Sequence, residues 1–286
     1  MMKEIWLIYR KDDAKRNQLF IQSLIEEGEK LNIQVSLKYR EQFYIGVING
    51  KLTLIYDEEQ TELPAAAIVR VPDPFFSEQL EAIGIRIFNR AKVSALCNDK
   101  RRTHQALAQL HIPMVDTLFF NIGRELSSKP PLSYPLVIKG ALGRSGAQVF
   151  FIQHQEDWES ACEKLANEPV VVQRPAERIG KDLRVFIIGK NIIGAVLRYS
   201  ESDFKANFTL GGQASRYELS QEERQLINSI IAAFDFDFVG IDFLFDGEGN
   251  LLFNEIEDVV GSRTLYATSN VNVAKLYVKH IAERIS

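Results

Sequence analysis

Sulfur is scarce in this chain, with two cysteines and three methionines in 286 residues. Cys97 and Cys162 sit in helix-like segments among apolar neighbours, so no disulfide framework is expected and the cytoplasm, a reducing compartment, is the expected location. Four histidines, His104, His111, His154 and His280, show no zinc-ligand spacing with one another or with the cysteines. No apolar run approaches the roughly 20 residues of a bilayer-crossing helix. The opening stretch Ile5-Trp6-Leu7-Ile8-Tyr9 is too short for the core of a signal peptide, has no small-residue cleavage site, and reads as a first β-strand. Neither G-x-x-x-x-G-K-S/T nor G-x-G-x-x-G occurs, which excludes two common phosphate-binding loops. An excess of positive charge is missing too. With 34 basic and 38 acidic residues the net charge is −4, which argues against a large nucleic-acid footprint. Repeats and low-complexity tracts are absent.

What is present is the composition of an ordinary globular protein, 46% hydrophobic and 25% charged, long enough for two or three packed units. After the strand at residues 4–9, apolar positions from Asp13 to Leu31 recur at helical spacing, and Ile33 to Leu37 reads as a second strand. Phe43–Ile48 and Leu52–Tyr56 flank Asn49-Gly50, a strong hairpin signal. A strand at Ala65–Val71, a short helix through Leu80 and a strand at Ile85–Phe88 follow. Strands alternating with helices predict a parallel-sheet α/β unit over residues 1–92. Asn98-Asp99 offers an N-cap to a helix running through Leu107 and Leu110 to a stop at Pro113. Beyond it the pattern is α+β. Strands Tyr134–Lys139 and Gln148–Ile152 flank a glycine-bearing loop, and Glu156–Asn167 is an amphipathic helix. Then come a hairpin of Leu183–Ile188 and Ile192–Arg198 and a helix opened by the capping box Ser220-Gln221-Glu222-Glu223.

The segment from Val239 to Glu257 is the most informative. With Gly247 to Asn250 as a loop, Asp246 pairs with Leu251, Leu244 with Phe253 and Asp242 with Glu255. Alternation along a strand then puts Asp242, Glu255 and Glu257 on one face. Ile241, Phe243, Phe245, Leu252 and Ile256 fall on the other. Opposed carboxylates repel unless something positive lies between them. A divalent cation removes that repulsion, and oxygen-only ligation favours a hard ion such as magnesium. The plain alternative is a half-solvated hairpin whose acids face water.

Lys139 closes a strand and is followed by Gly140, Gly143 and Gly146. Glycines let a backbone approach a phosphate closely, and a lysine supplies a point charge for its oxygens. A hairpin turn with a surface lysine fits the same residues. Asp182 and Arg184 share one strand face, Arg198 closes the partner strand, and cross-strand ion pairing on an exposed sheet is the plain reading of them.

Taken in order, these pieces resemble the ATP-grasp superfamily, specifically its RimK-like ligases of the alpha-L-glutamate ligase type. The matching stretches are Asn98-Asp99-Lys100, Tyr134 to Lys139 with the glycine loop, Gln173, Gly180 to Phe186, and Arg198. They continue through Asp203 to Asn207 with Gly211-Gly212, Gly240-Ile241-Asp242 and Asn254 to Glu257. No single motif is specific; their joint order is. The resemblance implies an ATP-grasp fold over residues 93–286, with a lid at about 114–175 and a C-terminal part at about 176–286, behind an N-terminal pre-ATP-grasp domain.

It also implies roles. Lys100 and Lys139 resemble the lysines that hold ATP phosphates, with Gly143 and Gly146 in the loop over them. Gln173, Arg174 and Pro175 resemble the hinge facing adenine, and Asp182 the residue near the ribose. Lys205 and Asn207 match positions that contact ATP and metal-bound phosphates. Asp242, Glu255 and Glu257 fall on the metal-ligand positions, with Glu255 bridging two magnesium ions and manganese as a substitute. Arg198, with Arg184 second, resembles the catalytic arginine that neutralises the transferring phosphoryl group. The chain departs from the family's usual pattern at Glu257, where asparagine is common, at Arg174-Pro175 in the hinge, at Gln148 in place of the loop's last glycine, and after Glu257, where a Pro-Gly turn is usual.

The activity so implied is ATP-dependent amide formation between a small carboxylate and an amine, the amine being an amino acid or a peptide tail, through an acyl phosphate. Neither a nucleic acid nor a membrane is an expected partner, and a homodimer is the default assembly. Two other classes are carried beside it. One is a non-catalytic ATP-binding module of the same fold, favoured by Glu257 and the altered hinge. The other is a nucleic-acid or peptide-tail binder using Arg86, Arg101 and Arg102.

Overall fold

A computed structural model describes residues 2–126, 128–144, 146–200 and 213–285. The apolar run near the start forms β1 (Lys3–Tyr9), buried from Ile5 onward and paired in parallel on both sides. Its neighbours are β2 (Ile33–Tyr39) and β6 (Ala66–Val69), and β7 (Ile87–Phe88) completes a sheet of order β2-β1-β6-β7. A strand enclosed on both faces needs a continuous apolar run rather than alternation, as β1 and β6 have. The segment predicted as one helix is two, α1 (Lys11–Arg16) and α2 (Gln18–Lys30). Asn17 makes the break, its side-chain amide donating to the Asp13 carbonyl at 2.7 Å. The Asn49-Gly50 turn joins β3 (Phe43–Ile48) to β4 (Lys51–Tyr56) with both residues left-handed, φ 51° and 74°, the backbone that a type I′ turn requires. The short β5 (Glu59–Gln60) pairs with β4, and α3 (Pro74–Ala82) is capped by Asp73.

Next come α4 (Ala91–Cys97) and α5 (Lys100–Ala108), the latter capped by the Asp99 side chain as expected. The helix ends at Ala108, short of the predicted Leu110, and His111 turns the chain before Pro113 with a left-handed φ of 56°. An antiparallel sheet of order β10-β9-β11-β8 follows, from β8 (Thr117–Phe120), β9 (Leu136–Gly140), β10 (Val149–Ile152) and β11 (Val170–Gln173). α6 (Gln155–Lys164) covers one face through the fully buried Trp158.

The third layer is an antiparallel sheet of order β14-β13-β12-β15-β16. It comprises β12 (Lys181–Ile188), β13 (Asn191–Tyr199), β14 (Gln213–Arg216), β15 (Phe238–Phe245) and β16 (Leu251–Glu257). Leu183, Val185 and Ile187 pack toward α7 (Gln221–Ala233), whose capping box forms as predicted. Phe186 and Ile188 join Ile5 and Leu7 of the first sheet and Tyr277 and Ile281 of α9 (Val273–Ile285) in a single core. Short α8 (Arg263–Thr268) adds Leu265 to it. No helix among the described residues is long and apolar enough to cross a membrane. The mixture of a parallel α/β layer with antiparallel α+β layers is the class read from the sequence.

The β15–β16 register corrects one expectation. Asp242 does oppose Glu255, but Phe243 pairs with Phe253 and Phe245 with Leu251, so the register shifts by one residue beside Asp242. Asn254 is the extra residue of this bulge. Leu251 and Phe253 therefore reach the core, at 3% and 0% exposure, in place of Leu252. Phe253→Ala should lower the unfolding free energy by about 3–5 kcal/mol in urea denaturation. A loss below about 1 kcal/mol would contradict this packing.

Candidate active site

The cross-strand register assembles the charged cluster. On the sheet face away from α7, Asp182 lies opposite Arg198, Arg184 opposite Asp242, and Asp242 opposite Glu255. Arg184 donates from Nε and Nη2 to the two Asp242 oxygens at 2.7 and 2.6 Å, and Arg198 adds a third bond to Oδ2 at 2.8 Å. Arg198 is also paired with Asp182, and Arg184 with Glu257 at 3.0 Å. Glu255 receives the Lys100 ammonium at 3.2 Å. These residues face a cavity of about 500 Å³ closed by Lys139 and Gly143 from the second layer and by Tyr9 and Arg70 from the first.

Asp242, Glu255 and Glu257 each present an oxygen within 4.8 Å of the others. An all-oxygen donor set of this size fits a hard divalent cation. Glu255 and Glu257 are partly open to the cavity. Asp242 is buried, and with three N–H bonds on a group that offers about four lone-pair positions, it retains one for a further partner. The acid at 257 is not an uncompensated charge, because Arg184 lies against it.

Lys139 reaches across from β9 and donates to Asn254 Oδ1 at 2.8 Å. This bond explains the bulge, since the extra residue turns both Asn254 and Glu255 toward the site. Lys100 Nζ also donates to the Gly143 carbonyl at 2.6 Å, tying the glycine loop to α5. A side chain at Gly143 would put its Cβ 2.6 Å from Gln148 Oε1, so the glutamine side chain would have to move aside. Arg144 pins the loop from its other end, donating to Asn98 Oδ1 at 2.7 Å and lying 3.8 Å from Asp258. Gly146 lines the cavity as well.

The hinge differs in detail from expectation. The Arg174 N–H donates to the Asp116 carbonyl at 3.1 Å and Pro175 has none, so the next backbone donor along the chain is Ala176. Gln173 is buried, its amide donating to Thr117 Oγ1 at 2.9 Å and meeting His104 Nε2 at 3.1 Å. Arg174 is exposed and paired with Asp116. Lys205, Asn207 and the Gly211-Gly212 pair lie outside the described residues. Sequence reasoning missed Asn254 and Arg144. For Asn254 a signal existed, because the core residues Leu251, Phe253 and Ile256 change parity and so imply an inserted residue.

Burial and neighbouring charge oppose each other throughout. Burial alone would raise the Asp242 carboxyl, but Arg184 and then Arg198 outweigh it and hold it at about 2. Asp182 goes the other way, raised by burial to about 6 although Arg198 opposes the shift. Burial also raises Glu257, and it lowers the Lys139 ammonium to about 8 against the pull of Glu255. Burial lowers His104 to about 4. Its Nδ1 lies 2.8 Å from the Lys100 carbonyl and Nε2 faces the Gln173 amide nitrogen, a pattern that fits the neutral ring protonated at Nδ1.

A family model described as the RimK-like ATP-grasp domain matches residues 97–281. N-acetylaspartylglutamate synthase A of Homo sapiens is 26% identical over 292 residues, covering 96% of this chain and 74% of that protein. Among solved structures, a RimK domain ATP-grasp protein from Sphaerobacter thermophilus superposes with a TM-score of 0.76 at 18% identity, covering 97% of this chain and 98% of the other. The ATP-grasp ligase PsnB, solved with a precursor variant, Mg and ADP, gives 0.70 at 17% identity, with 99% and 98% covered.

Two outcomes test the site. Arg184→Met removes two of the three bonds to a buried carboxylate and should cost about 3–5 kcal/mol in chemical denaturation, most of it recovered in Arg184→Met/Asp242→Leu. The depressed His104 value means that the unfolded chain binds a proton the native state refuses between pH 6.5 and 4. Its contribution is full above about 6.5 and is lost as pH falls to 4, a drop of about 3 kcal/mol relative to His104→Gln. Parallel pH profiles for the two proteins would refute it, and the comparison cancels the opposite effect of Asp182.

Proposed function

From the premise that this chain belongs to the RimK-like ATP-grasp family, we propose that it joins a small carboxylate to an amine in the cavity between its three layers, through an acyl phosphate. It is an ATP-grasp carbon–nitrogen ligase, with ATP and magnesium as the associated nucleotide and metal. The observation that carries the reading is the triad Asp242, Glu255 and Glu257 within 4.8 Å, beside Lys100 and Lys139 in one cavity.

A carboxylate is a poor electrophile and needs activation before an amine can displace its oxygen. The acceptor carboxylate attacks the γ-phosphate and ADP leaves. The amine then attacks the acyl carbon and phosphate departs. Lys100 and Lys139 would hold the phosphates, and Gln173, Arg174 and Pro175 the adenine edge. Asp182 would stand near the ribose, with Lys205 and Asn207 completing the nucleotide contacts. Asp242, Glu255 and Glu257 would hold magnesium, two ions with manganese as a substitute, which would supply charge neutralisation at the terminal phosphate. Arg198, and Arg184 after it, would stabilise charge on the transferring group, a role that can contribute 10³–10⁵ in some phosphoryl-transfer systems. The loop at 140–146, pinned by Lys100 and Arg144, would keep water from the acyl phosphate. Residues 1–92 would shape the acceptor side, with 93–286 as the nucleotide-binding unit. Two free cysteines fit a reducing cytoplasm, and a homodimer is the assembly to test first.

With MgATP, pooled amino acids and small carboxylates should stimulate ADP release, and Glu255→Ala should reduce it by roughly 10²–10³-fold or more. No stimulation by any combination would favour a binding module instead. A Glu255→Ala protein that turns over at the wild-type rate would end the metal assignment.

A further inference from the structure

The N-terminal wall of the cavity carries chemistry that amide formation alone does not assign. In the sheet β2-β1-β6-β7 the chain leaves β1 toward β2 on one side, while β6 lies on the other. The carboxyl ends of β1 and β6 therefore flank a topological switch point, where open α/β sheets bind their ligands. Tyr9 ends β1 and Arg70 directly follows β6, and both line the cavity.

Arg70 is only 5% exposed. Its Nε donates to the Tyr9 hydroxyl at 3.3 Å and its Nη2 to the Val260 carbonyl at 2.6 Å. Phe20 and Phe238 lie beside it, their ring centres 5.6 and 5.7 Å from Cζ. These contacts fix the guanidinium plane yet leave Nη1 without a hydrogen-bond partner among the described residues; the buried Asp258 carboxylate feels the Arg70 charge, but no carboxylate among those residues forms an ion pair with it. The other deeply buried arginines, Arg184 and Arg198, both sit on Asp242. A buried guanidinium with no directly paired carboxylate gains from a ligand that supplies one. Arg16 and Arg263, both exposed, line the same cavity, as does Asp13.

We propose that Arg70, flanked by Arg16 and Arg263, is a carboxylate-binding subsite that takes the substrate carboxylate which does not react. The ligand class is a small acid that keeps one free carboxylate after ligation. A planar guanidinium matches a carboxylate fork to fork, so the subsite selects an acid over its amide. The assignment rests on the ligase reading for the reaction that follows, and on the wall itself for binding.

The test is binding to the full chain saturated with MgADP, by ligand-observed NMR and calorimetry. The probes are small dicarboxylates and acidic amino acids, glutarate and glutamate among them, each beside its amide. At least one acid should bind, with its amide weaker by roughly tenfold or more. Arg70→Gln should weaken the acid by a similar factor, erase the acid–amide difference and leave MgADP affinity unchanged, with Arg70→Lys in between. Should Arg70→Gln fail to fold, Arg16→Gln/Arg263→Gln on exposed side chains decides: weaker acid binding upholds the subsite, unchanged binding overturns it. No binding by any acid, or equal binding to Arg70→Gln and the wild type, also overturns it. Arg70-dependent binding without ADP release for any amine would count against the ligase reading alone.

Discussion

A carboxylate stripped of water is tolerated only where fixed positive charge replaces its hydration, and Asp242 is in that position. At 1% exposure it is held by three hydrogen bonds from Arg184 and Arg198. Those arginines come from β12 and β13, so the network ties three adjacent strands together across the face that lines the cavity. Removing either partner leaves a buried charge exposed to a low-dielectric interior, a far larger penalty than the pair's own net contribution. The geometry of the sheet and the chemistry of the site are thus one constraint.

Around that anchor the charges are arranged in pairs. Asp182, Asp242, Glu255 and Glu257 are matched by Arg198, Arg184 and Lys100, with Lys139 close by. A nucleotide with divalent cations brings both signs at once, so it can exchange partners with such a cluster without leaving a net charge buried. The walls then divide the work. The second layer supplies Lys139 and the glycine loop, the third the acids, and the first a guanidinium with no ion-paired carboxylate among the described residues. That division follows from three sheets meeting at one cavity, with Phe186 and Ile188 of β12 packed directly on the first sheet.

Much of this was legible in the residues. The Asn49-Gly50 turn, the Asp99 cap, the Ser220 capping box and the pairing of Asp242 with Glu255 all form as read, because each depends on residues near in sequence or on strand alternation. The bulge at Asn254 departs from the simple register, since alternation by two has no place for an extra residue whose purpose is to meet Lys139. The helix break at Asn17 escaped the periodicity for a similar reason. Apolar spacing records which face is buried, and a side-chain bond to the Asp13 carbonyl leaves no mark in it. Cross-strand ion pairing of Arg184 and Arg198 does form, but on a buried sheet face and with Asp242 as the shared partner, because exposure is a property of the whole packed sheet.

The sequence by itself determined the elements, their order, the face on which Asp242, Glu255 and Glu257 stand, and through the ordered motifs the family. Those are consequences of local backbone preference and of side-chain period, which short stretches of chain carry in full. Only the tertiary structure decided that Lys139 meets Asn254 across 115 residues, that α9 docks on the first sheet, and that Arg70 is buried without an ion-paired carboxylate among the described residues. Burial and long-range proximity set the energy of a charge, and neither exists until distant segments pack together.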